Sequence, residues 1–474
     1  MVLFSDALMS GNYIVMNDCI QALFSGKLFA CKMDTEEKLR KLKPSFYQTD
    51  MMWLLYLASE GEERDEADEL LDVLMHFQLN RDYSRKILLE PPDISLCPGE
   101  YQLGDIIYPE GVFAKFGIRE DEWIRHMLIT GMSGVGKTNL SFHILRELNR
   151  HKKPFLVFDW KKNYRDLRQL PEFEGLRVYT VGRDIAPFKF NPLIPPPGSE
   201  PGQWLVKLID VMKHAYFLGD GVEFLMREAI DRAYEKHGVF DRNKSYPVFD
   251  EIKAFVYARR LRGRMSLWQA SALRALDCLT YKRSLGAVLN TYKPIDPEEL
   301  LNNYIIMELD ALSDSDKVFF SEALLLWIYE YRKNEAKREK FKHAIIIEEG
   351  HHILSSEKEK HEGQETIMET CLRQIREFGE AVIVLDQEPS KLSESIKANT
   401  YCKITFNLGN GKDILDISSC LQLAKEQAEY IGMLPVGKAI ISLAGRFYEP
   451  VLVAFPLVAI KKGKIVDSSL QQLN

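Results

Sequence analysis

The sequence predicts an α/β protein: a mainly parallel sheet flanked by helices, with a helical insertion and a helical N-terminal unit. Three observations predict it. Short apolar, β-like runs such as Phe155–Asp159 (FLVFD) and Ala344–Glu348 (AIIIE) alternate with helix-length segments, as parallel strands joined by crossovers require. The apolar run His126–Thr130 enters a glycine-rich turn that opens a helix. The first 89 residues show apolar positions at three- and four-residue spacing and little alternation.

Composition bounds the answer. At 474 residues the chain exceeds what one core usually organises, so two or more units are expected. A formal net charge of −7 excludes a surface coated in positive charge, though not a local basic groove or pore. Hydrophobic residues make up 46% and charged ones 28%, which excludes a disordered or collagen-like chain. The seven scattered cysteines form no CxxC, and their odd number suits a reduced compartment. No apolar stretch approaches the roughly 18 residues of a membrane helix, and the N-terminus lacks a basic region leading into an apolar one. A soluble, cytoplasmic protein without membrane contact is expected.

In chain order, Glu62–Gln78 reads as an amphipathic helix, with Ala67, Leu70, Leu71, Leu74 and Phe77 on one face and acids on the other. Pro91-Pro92 and Pro98-Gly99 open a turn-rich boundary that extends to about Phe116. Residues 1–95 are therefore expected to form a helical assembly or partner unit, 96–460 the α/β domain, and 461–474 a tail. Residues of about 203–290 read as a helical insertion, interrupted near Gly238–Tyr246. After Phe155–Asp159, buried strands are expected at Tyr304–Asp310, Ala344–Glu348 and Ala381–Leu385. Cys402–Leu408, Gly437–Leu443 and Val451–Phe455 supply later ones. No internal repeat or low-complexity tract interrupts the pattern.

Gly131, Met132, Ser133, Gly134, Val135, Gly136, Lys137 and Thr138 match G-x-x-x-x-G-K-[ST], with Asn139 continuing into the helix. Phosphates are cradled by inward backbone N–H groups, which glycines permit without Cβ clashes. Lys137 reaches the terminal phosphates and the Thr138 hydroxyl ligates Mg2+, so ATP with magnesium is the expected cofactor pair. A buried strand then has to end in an acid for the metal. Glu348 takes that place, and Glu349 projects beyond it to polarise the attacking water. Tyr304–Asp310 adds a strand between the two motifs, as in the RecA-like branch of P-loop ATPases. Ala381–Leu385 ends in Asp386-Gln387, where Gln387 can sense the terminal phosphate. Arg373 and Arg376 share a helical face just before it, and in a ring ATPase an arginine near a subunit edge can reach a neighbouring subunit's site.

Taken together, these residues resemble the HerA–FtsK superfamily of hexameric DNA-pumping ATPases, and HerA in particular. The resemblance is carried by RHMLITGMSGVGKT, FLVFDWKK, APFKFNPL, IIIEEGHH, the arginine–glutamine stretch 372–400 and LPVGKAIISL, and it covers roughly residues 100–457. It implies a homohexameric ring around double-stranded DNA and ATP-driven translocation. It also implies that Lys137, Thr138, Glu348, Glu349, Arg376 and Gln387 carry the roles above. HerA proteins usually begin with a small β-barrel that docks a nuclease, whereas the first 89 residues here read as helices. The expected partner is accordingly a nuclease or another effector, such as one from an antiphage system. An ATP-gated scaffold and a conjugation or secretion ATPase are the competing functions.

The remaining features favour plainer roles. Arg259, Arg260, Arg262 and Arg264, with Lys253 nearby, read as a solvated helix face more than a phosphate contact. Lys358 and Lys360 follow the glutamate strand, where channel loops contact DNA. His351 and His352 are expected to point apart, with no third zinc ligand in view. His126 is expected to be packed or hydrogen-bonded.

Overall fold

The computed structural model describes residues 33–44, 46, 48–78, 89–241, 245–335, 338, 340–355 and 366–470. Lys358 and Lys360 lie outside the described residues, as do Cys19, Cys31 and the side chain of Phe77. The other five cysteines are free thiols.

Three helices open the described chain: α1 (Thr35–Leu42), α2 (Thr49–Ala58) and α3 (Glu62–Gln78). The apolar stripe of α3 is covered, since Leu71, Leu74 and Met75 pack with Leu39, Leu42, Met52 and Tyr108. Two of its acids turn inward as well. Asp68 and Asp72 each lie 2.8 Å from the buried ammonium of Lys38.

The stretch 98–116, expected to be turn-rich, is instead a β-hairpin of β1 (Tyr101–Ile107) and β2 (Val112–Ile118). Tyr101 and Leu103 alternate inward as in a half-buried strand, a register shift between Gln102 and Gly104 makes Ile106 the next inward position, and the prolines ahead of the hairpin obscure the pattern. Next come β3 (Met127–Thr130), α4 (Lys137–Arg150), β4 (Phe155–Asp159) and β5 (Arg177–Thr180). The helices α5 (Pro201–Tyr216), α6 (Asp220–His237), α7 (Phe249–Ala258) and α8 (Arg264–Thr280) follow. They pack their apolar faces onto one side of the sheet. β6 (Tyr304–Glu308), α9 (Asp314–Asn334), β7 (His343–Glu348), α10 (Ile367–Ile375) and β8 (Glu380–Asp386) complete the central crossovers. β9 (Cys402–Thr405), β10 (Lys438–Leu443) and β11 (Val451–Ala454) close the chain's sheet.

Among the described residues, eleven strands form one sheet in the order β2-β1-β11-β10-β9-β3-β8-β7-β4-β6-β5. β9, β3, β8, β7, β4, β6 and β5 run parallel, whereas β10, β11, β1 and β2 extend the sheet by antiparallel pairing. Both faces of the parallel part are covered. Leu128, Phe158, Ile345 and Val384 face the insertion, and their neighbours Ile129, Val157, Ile346 and Ile383 face α4. This is why those strands read as continuous apolar runs. A polar residue stands at the carboxyl end of each central strand: Thr130, Asp386, Glu348, Asp159 and Glu308. Open α/β sheets place their ligand sites at that edge.

β8 lies between the P-loop strand β3 and the acid-bearing strand β7. The strand added between the motifs in the chain, β6, sits farther out beyond β4.

Candidate functional site

The glycine loop that joins β3 to α4 is pinned by backbone bonds from three sides. Gly131 N–H donates to the Asp386 carbonyl at 3.2 Å, Met132 N–H to Asn407 at 2.8 Å, and Gly437 N–H to Val135 at 3.0 Å. Gly134 (φ 84°) and Gly136 (φ 120°) hold backbone conformations that a Cβ would strain. Beyond Gly134 there is open space for an anion, with no atom within 4 Å of where its Cβ would stand. The Lys137 ammonium rests on the loop, donating to the Gly131 carbonyl and, at 2.8 Å, to that of Met132. Burial pulls its pKa down to about 8, against the opposing pull of Glu349.

Across from the loop, β7 delivers its two acids. Glu348 is buried, and its Oε2 has no hydrogen-bond partner. Burial pushes its carboxyl upward, the nearby Asp159 adds to the rise, and Tyr164 opposes it. An unpartnered buried carboxylate oxygen at the carboxyl end of β7 fits a divalent cation. Thr138, in the first turn of α4, and Glu348 would hold the magnesium there.

Glu349 adopts left-handed backbone angles (φ 50°, ψ 50°), a costly conformation for a residue with a Cβ. Gly350 follows, and a side chain there would meet Val384 Cγ1 at 2.3 Å. This turn swings the Glu349 carboxylate into the cleft, where Oε1 accepts from Gln387 Nε2 and pairs with the Lys161 ammonium. Asp386 organises the same rim. Its Oδ2 accepts from the His351 N–H at 2.7 Å and lies 3.0 Å from His351 Nδ1. Burial lowers the His351 pKa, but Asp386 and then Glu349 and Glu388 outweigh it and hold the imidazole above its ordinary value.

These groups enclose a cleft of about 650 Å³ lined by Met132, Ser133, Lys161, Glu349, His351 and Gln387. The structure thus brings the P-loop, Glu349 and Gln387 together. It places the other candidates elsewhere. Asn139 turns its side chain away from the loop, donating to the Pro456 carbonyl at 2.9 Å and accepting from Val458 N–H at 2.8 Å. Only its backbone remains for a nucleotide. Arg373 and Arg376 are exposed before β8, at the end opposite Gln387. Neither shares its own chain's cleft. A further arginine, Arg446, is spent inside the chain. Its guanidinium holds Glu122 at 2.7 Å and the carbonyls of Leu96, Cys97, Pro98 and Gly117.

The two histidines do not point apart. Residues 350–352 form a tight 3-10 turn that lays the rings 4.2 Å apart, and His352 stacks on Trp160 at 4.6 Å. No group of His, Cys, Asp and Glu among the described residues suits a metal cluster. His126 is hydrogen-bonded as expected, with Nε2 2.7 Å from the Leu372 carbonyl and Nδ1 accepting from Val382 N–H. In the basic cluster, Arg259 is tied to Glu228 and Lys253 to Asp277, while Arg260, Arg262 and Arg264 are exposed. Sequence reasoning assigned no role to Lys161, Asp386 or Trp160. The first and last directly follow the acid that ends β4, which was the available signal.

The family model for the central domain of the helicase HerA matches residues 101–426. The probable helicase of Methanocaldococcus jannaschii is 21% identical over 348 residues, spanning 72% of this chain and 64% of that protein. The chain therefore spans less than two thirds of that relative's length. VirB4 of Thermoanaerobacter pseudethanolicus superposes with a TM-score of 0.59 at 12% identity, over 75% of this chain and 96% of its own. The plasmid coupling protein TrwB bound to the ATP analogue ADPNP gives 0.54 at 12% identity, over 74% and 89%. TrwB with ADP and Mg2+ gives 0.52 at 11% identity, over 73% and 89%. At such identities the likeness shows a shared RecA-like fold.

Proposed function

Because the chain belongs to the family of the HerA helicase central domain, we propose that it is an ATP-hydrolysing motor moving double-stranded DNA through a homohexameric ring. A nuclease or other effector is its partner in this reading, in DNA processing or antiphage defence.

The observation that carries the reading is the meeting of Gln387 and Glu349 above the P-loop. A plain nucleotide-binding domain needs the loop alone. A motor needs a group that polarises water and a group that reports whether the terminal phosphate is still present. When bound, MgATP supplies the phosphoryl group to be cleaved and the cation that offsets its charge. In this chain the loop N–H groups and Lys137 cradle the phosphates, and Thr138 and Glu348 hold the metal. Glu349 orients the attacking water, and Gln387 carries its displacement into β8. Arg376, at the other end of β8, serves the neighbouring subunit's site across the ring interface.

Residues 1–95 fit an assembly or partner unit, and α2 supports this by leaving Met51, Leu54 and Leu57 exposed. No helix among the described residues is long and apolar enough to cross a membrane. Electron microscopy of the purified protein with an ATP analogue and duplex DNA tests the reading, together with ATPase assays on short and long duplexes. A six-membered ring threaded by DNA, with hydrolysis that rises with duplex length, is expected. A ring whose hydrolysis ignores DNA would instead identify an ATP-gated scaffold.

A further inference from the structure

We propose that Lys161 is a second phosphate-binding lysine, parked on Glu349 until the terminal phosphate of a nucleoside triphosphate draws it away. The proposal rests on the reading of Glu349 as the acid that orients the attacking water.

Lys161 lies two residues beyond Asp159, the last residue of β4, and its backbone is anchored there by an N–H bond to Asp159 Oδ1 at 3.0 Å. The stem is thus fixed to the sheet edge, whereas the side chain is 49% exposed and free to swing. Its ammonium pairs with Glu349 inside the cleft that Met132 and Ser133 of the P-loop also line. The neighbouring Lys162 leaves in another direction, with left-handed φ (61°) and its ammonium 3.1 Å from Asp467. Of the two lysines, only Lys161 serves the cleft.

The pairing has a chemical consequence. Glu349 Oε1 holds both the Lys161 ammonium and the Gln387 amide, so the acid is neutralised where it has to face water. A carboxylate bound in this way is a poor hydrogen-bond acceptor for an attacking water. Any water that Glu349 orients stands beside the terminal phosphate, which places that phosphate within the reach of Lys161. A phosphate oxyanion carries more charge than one carboxylate and competes for the ammonium. The transfer of one lysine would bind the triphosphate end and free the acid in a single movement. A diphosphate has no group at that position, so Lys161 would stay on Glu349.

The test compares Mg2+ complexes of a non-hydrolysable ATP analogue and of ADP, by calorimetry on the full chain. Lys161→Ala is expected to weaken the triphosphate by about tenfold, to change ADP by less than about twofold, and to be largely rescued by Lys161→Arg. Equal weakening of both nucleotides would reveal a structural residue and overturn the proposal. An unchanged or tighter triphosphate, even with faster turnover, would overturn it too, leaving Lys161 as a simple brake. Lys137→Ala and Glu349→Gln are run alongside. If Lys137→Ala still binds both nucleotides, or Glu349→Gln hydrolyses ATP at the parental rate, the reading of the site itself has failed, whatever Lys161 does.

Discussion

Gln387 donates its side-chain amide to Glu349 Oε1, so the loops that leave the adjacent strands β8 and β7 are joined at their tips. Asp386 adds a second stitch by accepting the His351 N–H. A movement of either loop is therefore transmitted to the other. β8 is buried along its full length, from Glu380 to Asp386. It offers a stiff rod between this joint and the turn that carries Arg376, a contiguous element of the kind that conformational coupling needs.

The joint predicts two separable defects. Glu349→Gln keeps the shape of the side chain and loses the carboxylate, so ATP binding should persist while turnover falls by about 100-fold or more. Gln387→Ala leaves the acid intact and removes its reporter. Hydrolysis should fall less in that variant, and its stimulation by DNA should be lost. Nucleotide-binding and DNA-titrated ATPase assays on both proteins check this. Identical behaviour of the two variants would deny them distinct roles.

Lys137→Ala should abolish nucleotide capture without unfolding the chain. The ammonium bonds only to two loop carbonyls, and no apolar core depends on it. Equilibrium binding and a thermal melt decide the matter, the expected pair being lost binding and an unchanged melting temperature. Retained ATPase activity in a folded variant would remove the P-loop assignment.

Arg376 is separated from its own chain's cleft by the length of β8, so a direct contact with a reacting phosphate would have to be made in a neighbouring subunit's site. Arg376→Ala and Glu349→Gln subunits, each inactive alone, should regain partial ATPase activity when mixed. Some interfaces then pair an intact arginine with an intact acid. If verified mixed rings stay inactive, the trans role is lost. Arg373, on the same exposed face, becomes the next residue to test.

The strands that were legible in the sequence are those buried on both faces, because an unbroken run such as AIIIE has few other readings. β5 was missed: its four residues, RVYT, sit at the sheet edge and alternate between buried and half-buried. The hairpin β1–β2 was missed because the prolines before it carry the turn signal. At the site, the P-loop and the paired glutamates declare themselves by local spacing. The bond from Gln387 to Glu349 spans 38 residues and the one from Arg446 to Glu122 spans 324, so neither leaves a local pattern. The fate of Asn139 likewise depended on where residues 456–458 return.

Glu380, at the start of β8, provides a pH-dependent test of what anchors that strand. Its side chain is fully buried, with Arg332 Nε at 2.5 Å and His343 Nδ1 at 2.6 Å. Burial alone would raise its pKa, but His343 and Arg332 outweigh it and bring the carboxyl from 4.5 down to about 2. A carboxyl depressed by folding contributes stability that is fully present above its unfolded value, here about pH 4.5. That contribution is lost as the pH falls toward about 2, because the unfolded chain takes up the proton first. Glu380→Gln removes the titrating group and leaves the Arg332 guanidinium with Glu335 alone, at 2.8 Å. Breaking a buried pair on one side costs about 3–5 kcal/mol, so the variant should be less stable at pH 7 by roughly that amount. Between about pH 4.5 and 2 the gap to the parent should narrow, since only the parent loses this contribution there. Urea denaturation of both proteins at pH 7, 4.5 and 3 measures the gap directly. A gap that stays constant across that series would mean that Glu380 is not held ionised by its two partners. The strand linking Arg376 to Gln387 would then be anchored by packing alone.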